Sequence, residues 1–466
     1  MKPKDLSGEA LQVGKEGRRR PLSFPRMIML GFFLIILAGT LILCLPISSA
    51  TGSWTNPLDA GFTAVSATCV TGLTTLDTAT HWSFFGHVVI LLLIQVGGLG
   101  FMTLAILFAI LFRRSVTPRE RMLVAAAYNL NDFHNVTGLV KRILLGTLAI
   151  EALGAVALSV RFVPDFGWGQ GIFKSIFHSV SAYCNAGFDT VGIGNSAIGS
   201  MEYYREDPLV NLTFVALILL GGIGFLVWSD LAGCVLKRRR LSVYSRFILI
   251  LSAILVVGGA VIFAIFEWNN PASLGGFSSV PSKLIAALFQ SVTWRTAGFY
   301  MIPNGSFLPE TLLCGVLFMF VGGASGSTAG GVKMGTVGIF GWTVICRAFG
   351  RKQTVIFRRT VSENSFVRAA TVISLQVAMI LVGILILVLV VPGLGATEVL
   401  YEVVSAISTV GVTAGITSSM NVWGKLILMV LMYLGRIGTV TVTYSMMNRA
   451  DRDSGVRYPD AGMPIG

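Results

Sequence analysis

Eight apolar stretches punctuate this chain, near residues 27–46, 86–112, 140–161, 209–236, 245–267, 310–347, 368–391 and 421–447. At about 1.5 Å per helical residue, each is long enough to cross a hydrocarbon layer of about 30 Å. Four shorter apolar runs, 58–69, 171–183, 281–293 and 397–408, each precede small and polar residues. Runs of that length predict helices that enter the membrane and turn back. The order is span, short helix, loop, span, four times over. The expected fold is an all-α polytopic membrane protein, with eight spans and four re-entrant helices around a pseudo-fourfold pore.

The ends of the short runs share one register. They read Ser66-Ala-Thr-Cys-Val-Thr-Gly72, Ser181-Ala-Tyr-Cys-Asn-Ala-Gly187, Val292-Thr-Trp-Arg-Thr-Ala-Gly298 and Ser405-Ala-Ile-Ser-Thr-Val-Gly411. The four glycines are 115, 111 and 113 residues apart. A second register follows: Gly97-Gly-Leu-Gly100, Gly221-Gly-Ile-Gly224, Gly322-Gly-Ala-Ser325 and Gly435-Arg-Ile-Gly438. Each second span thus carries a flexible or closely approached point at similar depth. Irregular backbone inside a membrane is tolerated where it lines a wet cavity. Four such loops would present rings of carbonyl oxygens to a dehydrating cation, with glycine supplying the positive φ. Short helices entering from outside would turn their negative C-terminal ends to the axis. These residues alone leave K+ and Na+ undistinguished.

Composition agrees. Hydrophobic residues make up 54% and charged residues 12%, against about 25% charged in soluble domains. The net charge of +13 raises the question of nucleic acid, but its distribution excludes that reading. Segments 2–26, 113–142, 237–246, 347–368 and 449–457 hold 27 of the 35 lysines and arginines. That bias puts these segments and both termini on the cytoplasmic side of the cell membrane. The layout has a basic, disordered arm (1–26), then repeats at 27–112, 140–236, 237–347 and 368–447. Cytoplasmic linkers lie at 113–139 and 348–367, and a cytoplasmic tail at 448–466. Arg18, Arg19 and Arg20 before Met27–Leu45 resemble a secretory signal, but the apolar run is long and reads as a retained span. The six cysteines fall singly and the four histidines lie apart, which argues against disulfides or a metal site. Intramembrane charges are isolated, so an enzyme is not expected.

With these motifs in place, the chain resembles the Trk/Ktr/HKT superfamily of potassium transporters, specifically the eight-span Ktr membrane subunit. The resemblance runs from about 27 to 447. It is carried by Ser66–Leu73, Asn185-Ala-Gly-Phe188, Arg295-Thr-Ala-Gly-Phe299 and Gly322–Lys333, and more loosely by Ser408-Thr-Val-Gly-Val412. Trk-type relatives carry two further N-terminal spans, for which the residues before Met27 leave no room. The resemblance implies a K+ filter made by Val70, Thr71 and Gly72, by Asn185, Ala186 and Gly187, by Thr296, Ala297 and Gly298, and by Thr409, Val410 and Gly411. Plant relatives with serine at the first filter position tend toward Na+; Gly72 fits K+ preference. A Na+ or non-selective monovalent cation pathway is the alternative. The resemblance further implies a homodimer in lipid, possible Na+ dependence, and a KtrA-like cytoplasmic ring supplied by another protein. Any nucleotide is expected on that ring, and K+ in the pore is the only ligand expected here.

A gate is also expected. Residues 322–331 contain Gly322, Gly323, Ser325, Gly326, Ser327, Thr328, Gly330 and Gly331. Helix propensity falls by roughly 1 kcal/mol per glycine, so the span should break there. In the family that break is a movable loop obstructing the pore. The segment does not meet the phosphate-loop pattern, since no Ser or Thr follows Lys333. Arg436 takes the register position of Gly98, Gly222 and Gly323. A mid-membrane arginine is a functional candidate by default, either as an electrostatic barrier or as a partner for a carboxylate or loop carbonyls. Glu151, Asp230 and Lys333 are expected to pair with neighbouring helices, and Arg295 with an outer carboxylate such as Asp189, Glu398 or Glu402.

Overall fold

The computed structural model describes residues 24–100, 136–191 and 201–438. Residues 1–23 of the predicted arm, 113–135 of the predicted linker 113–139, the tail and the ends of the second and eighth spans lie outside the described residues. Helices α1 (Phe24–Cys44), α2 (Pro57–Cys69) and α3 (Phe84–Leu99) form the first unit. The second contains α4 (Val136–Phe166), α5 (Trp168–Tyr183), α6 (Pro208–Gly222) and α7 (Phe225–Lys237). The third contains α8 (Val243–Glu267), α9 (Val280–Thr293), α10 (Pro309–Phe320) and α11 (Met334–Ala348). The fourth contains α12 (Glu363–Val390), α13 (Ala396–Ile407) and α14 (Val422–Ile437).

Local chemistry starts these helices where the loops end. Asn56 accepts the Leu58 amide at 2.9 Å ahead of Pro57, and Asp207 accepts the Leu209 amide at 2.9 Å ahead of Pro208. Ser242 and Asn421 cap α8 and α14 in the same way, at 3.1 and 2.8 Å. Such caps satisfy amides that the first turn leaves open, and proline at the first position gives up no hydrogen bond.

Among the described residues, α1, α4, α8 and α12 contain the four uninterrupted helices long and apolar enough to span a membrane. Their outward faces carry exposed Leu34, Leu153, Ile265 and Leu389, a pattern suited to lipid contact. The short helices are the reverse. Every residue of α2 from Ala60 to Cys69 is buried, as is α13 from Tyr401 to Ile407. Within the described residues, the second span of the second unit differs from a straight crossing, since α6 and α7 meet at 101° around Ile223 and Gly224. In the third unit α10 and α11 are separated by residues 321–333, at the break expected from the glycines. The 348–367 linker holds a hairpin, β1 (Val355–Ile356) and β2 (Arg359–Thr360), whose turn residues Phe357 and Arg358 both have positive φ. Trp342 donates to the Val355 carbonyl at 3.1 Å and ties the hairpin to α11.

The packing is cyclic. α3 packs on α5, α6 on α9, α10 on α13 and α14 on α2, so each second span leans on the short helix of the next unit. The last contact closes the circle. There Lys425 of α14 meets Asp59 of α2 at 2.7 Å, both side chains largely buried, and Thr75 donates to the same carboxylate at 2.8 Å. Asp59→Ala should lower unfolding stability by about 1–2 kcal/mol by leaving the ammonium half-buried and unpaired. Thermal unfolding in detergent checks this, and Asp59→Ala/Lys425→Ala should lose less than the two single changes together.

Candidate functional site

Each short helix ends in a three-residue strand with one repeated backbone conformation. Its first and third residues have positive φ: Val70 and Gly72 (57° and 101°), Asn185 and Gly187 (60° and 72°), Thr296 and Gly298 (69° and 81°), Thr409 and Gly411 (52° and 93°). Thr71, Ala186, Ala297 and Val410 between them do not. Alternating the sign of φ turns successive peptide groups to one side, where a regular strand would alternate them. Glycine was expected in this conformation. Valine and threonine were not, because β-branched residues rarely take positive φ, whereas asparagine takes it more readily.

The four strands touch one another in order. A Cβ added to Gly72 would lie 2.7 Å from the Ala186 carbonyl oxygen, and one on Gly187 2.9 Å from that of Ala297. One on Gly298 would meet the Val410 oxygen at 2.8 Å, and one on Gly411 would strike the Thr71 oxygen. The middle carbonyls therefore form a closed ring, and the glycines are required by space as well as by φ. A narrow cleft sits against this ring, lined by all four glycines with Thr74, Asp189, Tyr300 and Thr413.

Side chains that the sequence reading passed over hold the strands. Ser66 and Ser405 accept the amides of Gly72 and Gly411 at 3.0 and 3.1 Å. Ser181 accepts the Phe188 amide at 3.1 Å. In the third unit Val292 occupies that register position, and Thr293 donates to the Phe299 carbonyl instead. The signal was present in the repeated motif, whose first residue is serine in three units of four.

The second register is a close-approach point. Gly97, Gly221 and Gly435 each leave room for a carbonyl of the adjoining short helix, those of Thr68, Tyr183 and Ile407. Each of these carbonyls lies four residues before the ring glycine. Gly100, Gly224 and Gly438 then turn the chain at φ of 77°, 87° and 88°.

In the third unit the turn is replaced by the glycine-rich loop, stitched to its neighbours by backbone bonds. The Ala324 and Thr328 amides donate to the Gly222 and Gly221 carbonyls at 2.9 and 3.4 Å, and Phe225 donates to Gly326 at 2.8 Å. Gly322 bonds to Val332 at 2.9 Å, which closes the loop at its base. Thr328 Oγ1 donates to the Tyr183 carbonyl at 3.1 Å. Gly330 packs against the Thr409 side chain, and Gly331 against the Ser408 carbonyl. The loop thus lies against the second and fourth strands, with Ser325, Ser327 and Gly323 in its turn. Arg436 donates to the Thr328 carbonyl and to the carbonyls of Gly97 and Gly98, which joins the fourth, third and first units at one point.

Two expected pairings are corrected. Among the described residues, buried Arg295 meets no carboxylate: Nη1 donates to Ser252 Oγ of α8 at 2.8 Å. The carboxylates proposed for it are taken by nearer donors, Asp189 by His178 and Glu402 by Thr413 and Thr417, while Glu398 accepts the Gly395 amide. Lys333 donates to Ala329 of its own loop at 2.7 Å, because the loop folds back over it. Asp230 and Glu151 do reach neighbouring helices: Asp230 accepts from Ser245, and Glu151 from Gln95 at 3.4 Å.

Four helix–loop–helix units closing a ring of backbone carbonyls define a membrane cation-transport protein. The TrkH family, described as cation transport protein, matches residues 31–455, and the chain belongs to that family. It is 38% identical to the potassium/sodium uptake protein NtpJ of Enterococcus hirae, over 98% of this chain and all of that protein. It is 40% identical to the Ktr system potassium uptake protein B of Bacillus subtilis, over 94% and 95% of the two chains. The crystal structure of the potassium transporter TrkH from Vibrio parahaemolyticus shares its fold, with a TM-score of 0.70, 18% identity, and coverage of 91% of this chain and 85% of that one.

Gly221→Ala should abolish the folded protein, since its Cβ would occupy the place of the Tyr183 carbonyl oxygen. Gly233→Ala, with nothing within 4 Å of the added carbon, should fold normally. Monodispersity in detergent separates the two.

Proposed function

We propose that this chain takes up potassium as the membrane subunit of a Ktr-type system. The observation that carries the reading is the closed ring made by the Thr71, Ala186, Ala297 and Val410 carbonyls. Those oxygens, with the other strand carbonyls from 70–72, 185–187, 296–298 and 409–411, replace the hydration shell of a cation. The buried short helices add their negative C-terminal ends. In this reading α1, α4, α8 and α12 and the broken second spans make eight crossings, α2, α5, α9 and α13 are re-entrant, and both termini are cytoplasmic. The potassium uptake named for the Bacillus subtilis relative and the four glycines favour K+. Sodium in the Enterococcus hirae relative's name supports Na+ dependence as part of the same proposal.

The loop from Gly322 to Gly331 and Lys333, latched by Arg436, acts as the gate. It packs on the fourth strand through Gly330 and Gly331 and reaches the end of the second short helix through the Thr328 hydroxyl, and a cation leaving the ring meets the guanidinium charge. Two copies assembling in lipid, each with its own pore, and a nucleotide-binding cytoplasmic ring complete the assembly.

Flux through purified protein in liposomes, under K+ and Na+ gradients and with and without the regulatory partner, tests the reading. Gly72→Ser should reduce K+ preference over Na+ by about tenfold, the discrimination that about 1.4 kcal/mol at one of four strands provides. Arg436→Ala should raise flux without the partner several-fold, since the latch and the barrier go together. Unchanged kinetics in that variant would remove Arg436 from the gate.

A further inference from the structure

Two of the four units share a side-chain clamp in the same register. His178 of α5 stands nine residues before Gly187, and its Nε2 lies 2.8 Å from Oδ1 of Asp189, two residues beyond that glycine. Glu402 of α13 stands nine residues before Gly411. Its Oε1 accepts the hydroxyl of Thr413, two residues beyond, at 2.8 Å, and also that of Thr417. His178 and Glu402 are fully buried and Asp189 nearly so. Asp189 and Thr413 both line the cleft against the ring.

The other two units lack the clamp. At the same positions they hold Thr63 with Thr74 and Phe289 with Tyr300. Thr63 gives its hydroxyl to the Asp59 carbonyl at 2.9 Å, and phenylalanine has no polar side-chain atom. Because the strands meet in the order first, second, third, fourth, the two clamped strands face each other across the ring.

We propose that His178 and Glu402 are positioning residues for ion selection. Each ties the backbone just beyond its glycine to a rigid helix, and so fixes the height and tilt of the second and fourth strands. The proposal rests on the reading of the ring as an ion filter.

The clamp in the second unit has further anchors. His178 Nδ1 donates to the Lys174 carbonyl at 2.7 Å, and the Thr190 amide lies 3.2 Å from Nε2. Lys174 in turn donates to the Thr190 and Val191 carbonyls at 2.6 and 3.1 Å.

The test is K+ uptake by the full chain in liposomes, competed by Na+. His178→Ala and Glu402→Ala should each weaken discrimination by about tenfold, the size of one hydrogen bond to a charged group. His178→Gln keeps a donor toward Asp189, so it should retain discrimination. Discrimination unchanged in His178→Ala, or lost in His178→Gln, would overturn the proposal. If the alanine variants do not fold, Thr413→Val decides: it removes a donor to Glu402 and should weaken discrimination, and unchanged discrimination there would overturn the proposal. Gly72→Ser run alongside separates the two ideas. If it too leaves discrimination intact, the filter reading fails; if only it relaxes discrimination, the clamps alone are refuted.

Discussion

Peptide carbonyls that have left their helix and are held in a low-dielectric slab govern this structure. Each such group costs several kcal/mol unless water or an ion satisfies it. Bringing Thr71, Ala186, Ala297 and Val410 to one ring concentrates that demand at one place, which in the proposed function a cation answers. The supports follow from this. The short helices are buried because they carry the strands to the axis. The strand backbone is bonded back to Ser66, Ser181 and Ser405 at 2.8 Å in three units, which keeps the carbonyls aimed inward. The second spans carry glycine at Gly97, Gly221 and Gly435 because only a bare backbone passes so near those helices.

The ring is fourfold in backbone and far less so beneath it. Three units turn on a glycine at positive φ, whereas the third sends out a loop bonded to the second unit and packed on the fourth. Arg436 converts this into a latch, because its planar, multi-donor head holds carbonyls of two units at once.

Much of this was legible in the chain. Hydropathy and the spacing of Gly72, Gly187, Gly298 and Gly411 predict the units, and the short helices begin and end within a few residues of the expected places. The broken third inner helix follows from its glycines. What escaped was decided by tertiary contact. Positive φ at Val70, Thr296 and Thr409 contradicts their local preference and is imposed by the ring. Arg295 was expected to seek charge, yet Ser252 is nearer, and a buried hydroxyl satisfies a guanidinium donor without a second desolvated ion. The clamp of His178 on Asp189 joins residues eleven apart across the end of α5 at Tyr183, where helical periodicity no longer says which residues meet.

Closing the ring with one chain has a genetic consequence. In an assembly of four identical subunits, every substitution at the axis would appear four times. Here a single codon changes a quarter of the circle. One arginine stands at Arg436 while the other units keep glycine at its register position, at Gly98, Gly222 and Gly323; four guanidinium groups gathered there would repel one another. Each quarter is thus free to acquire its own task while the backbone it shares with the others stays fixed.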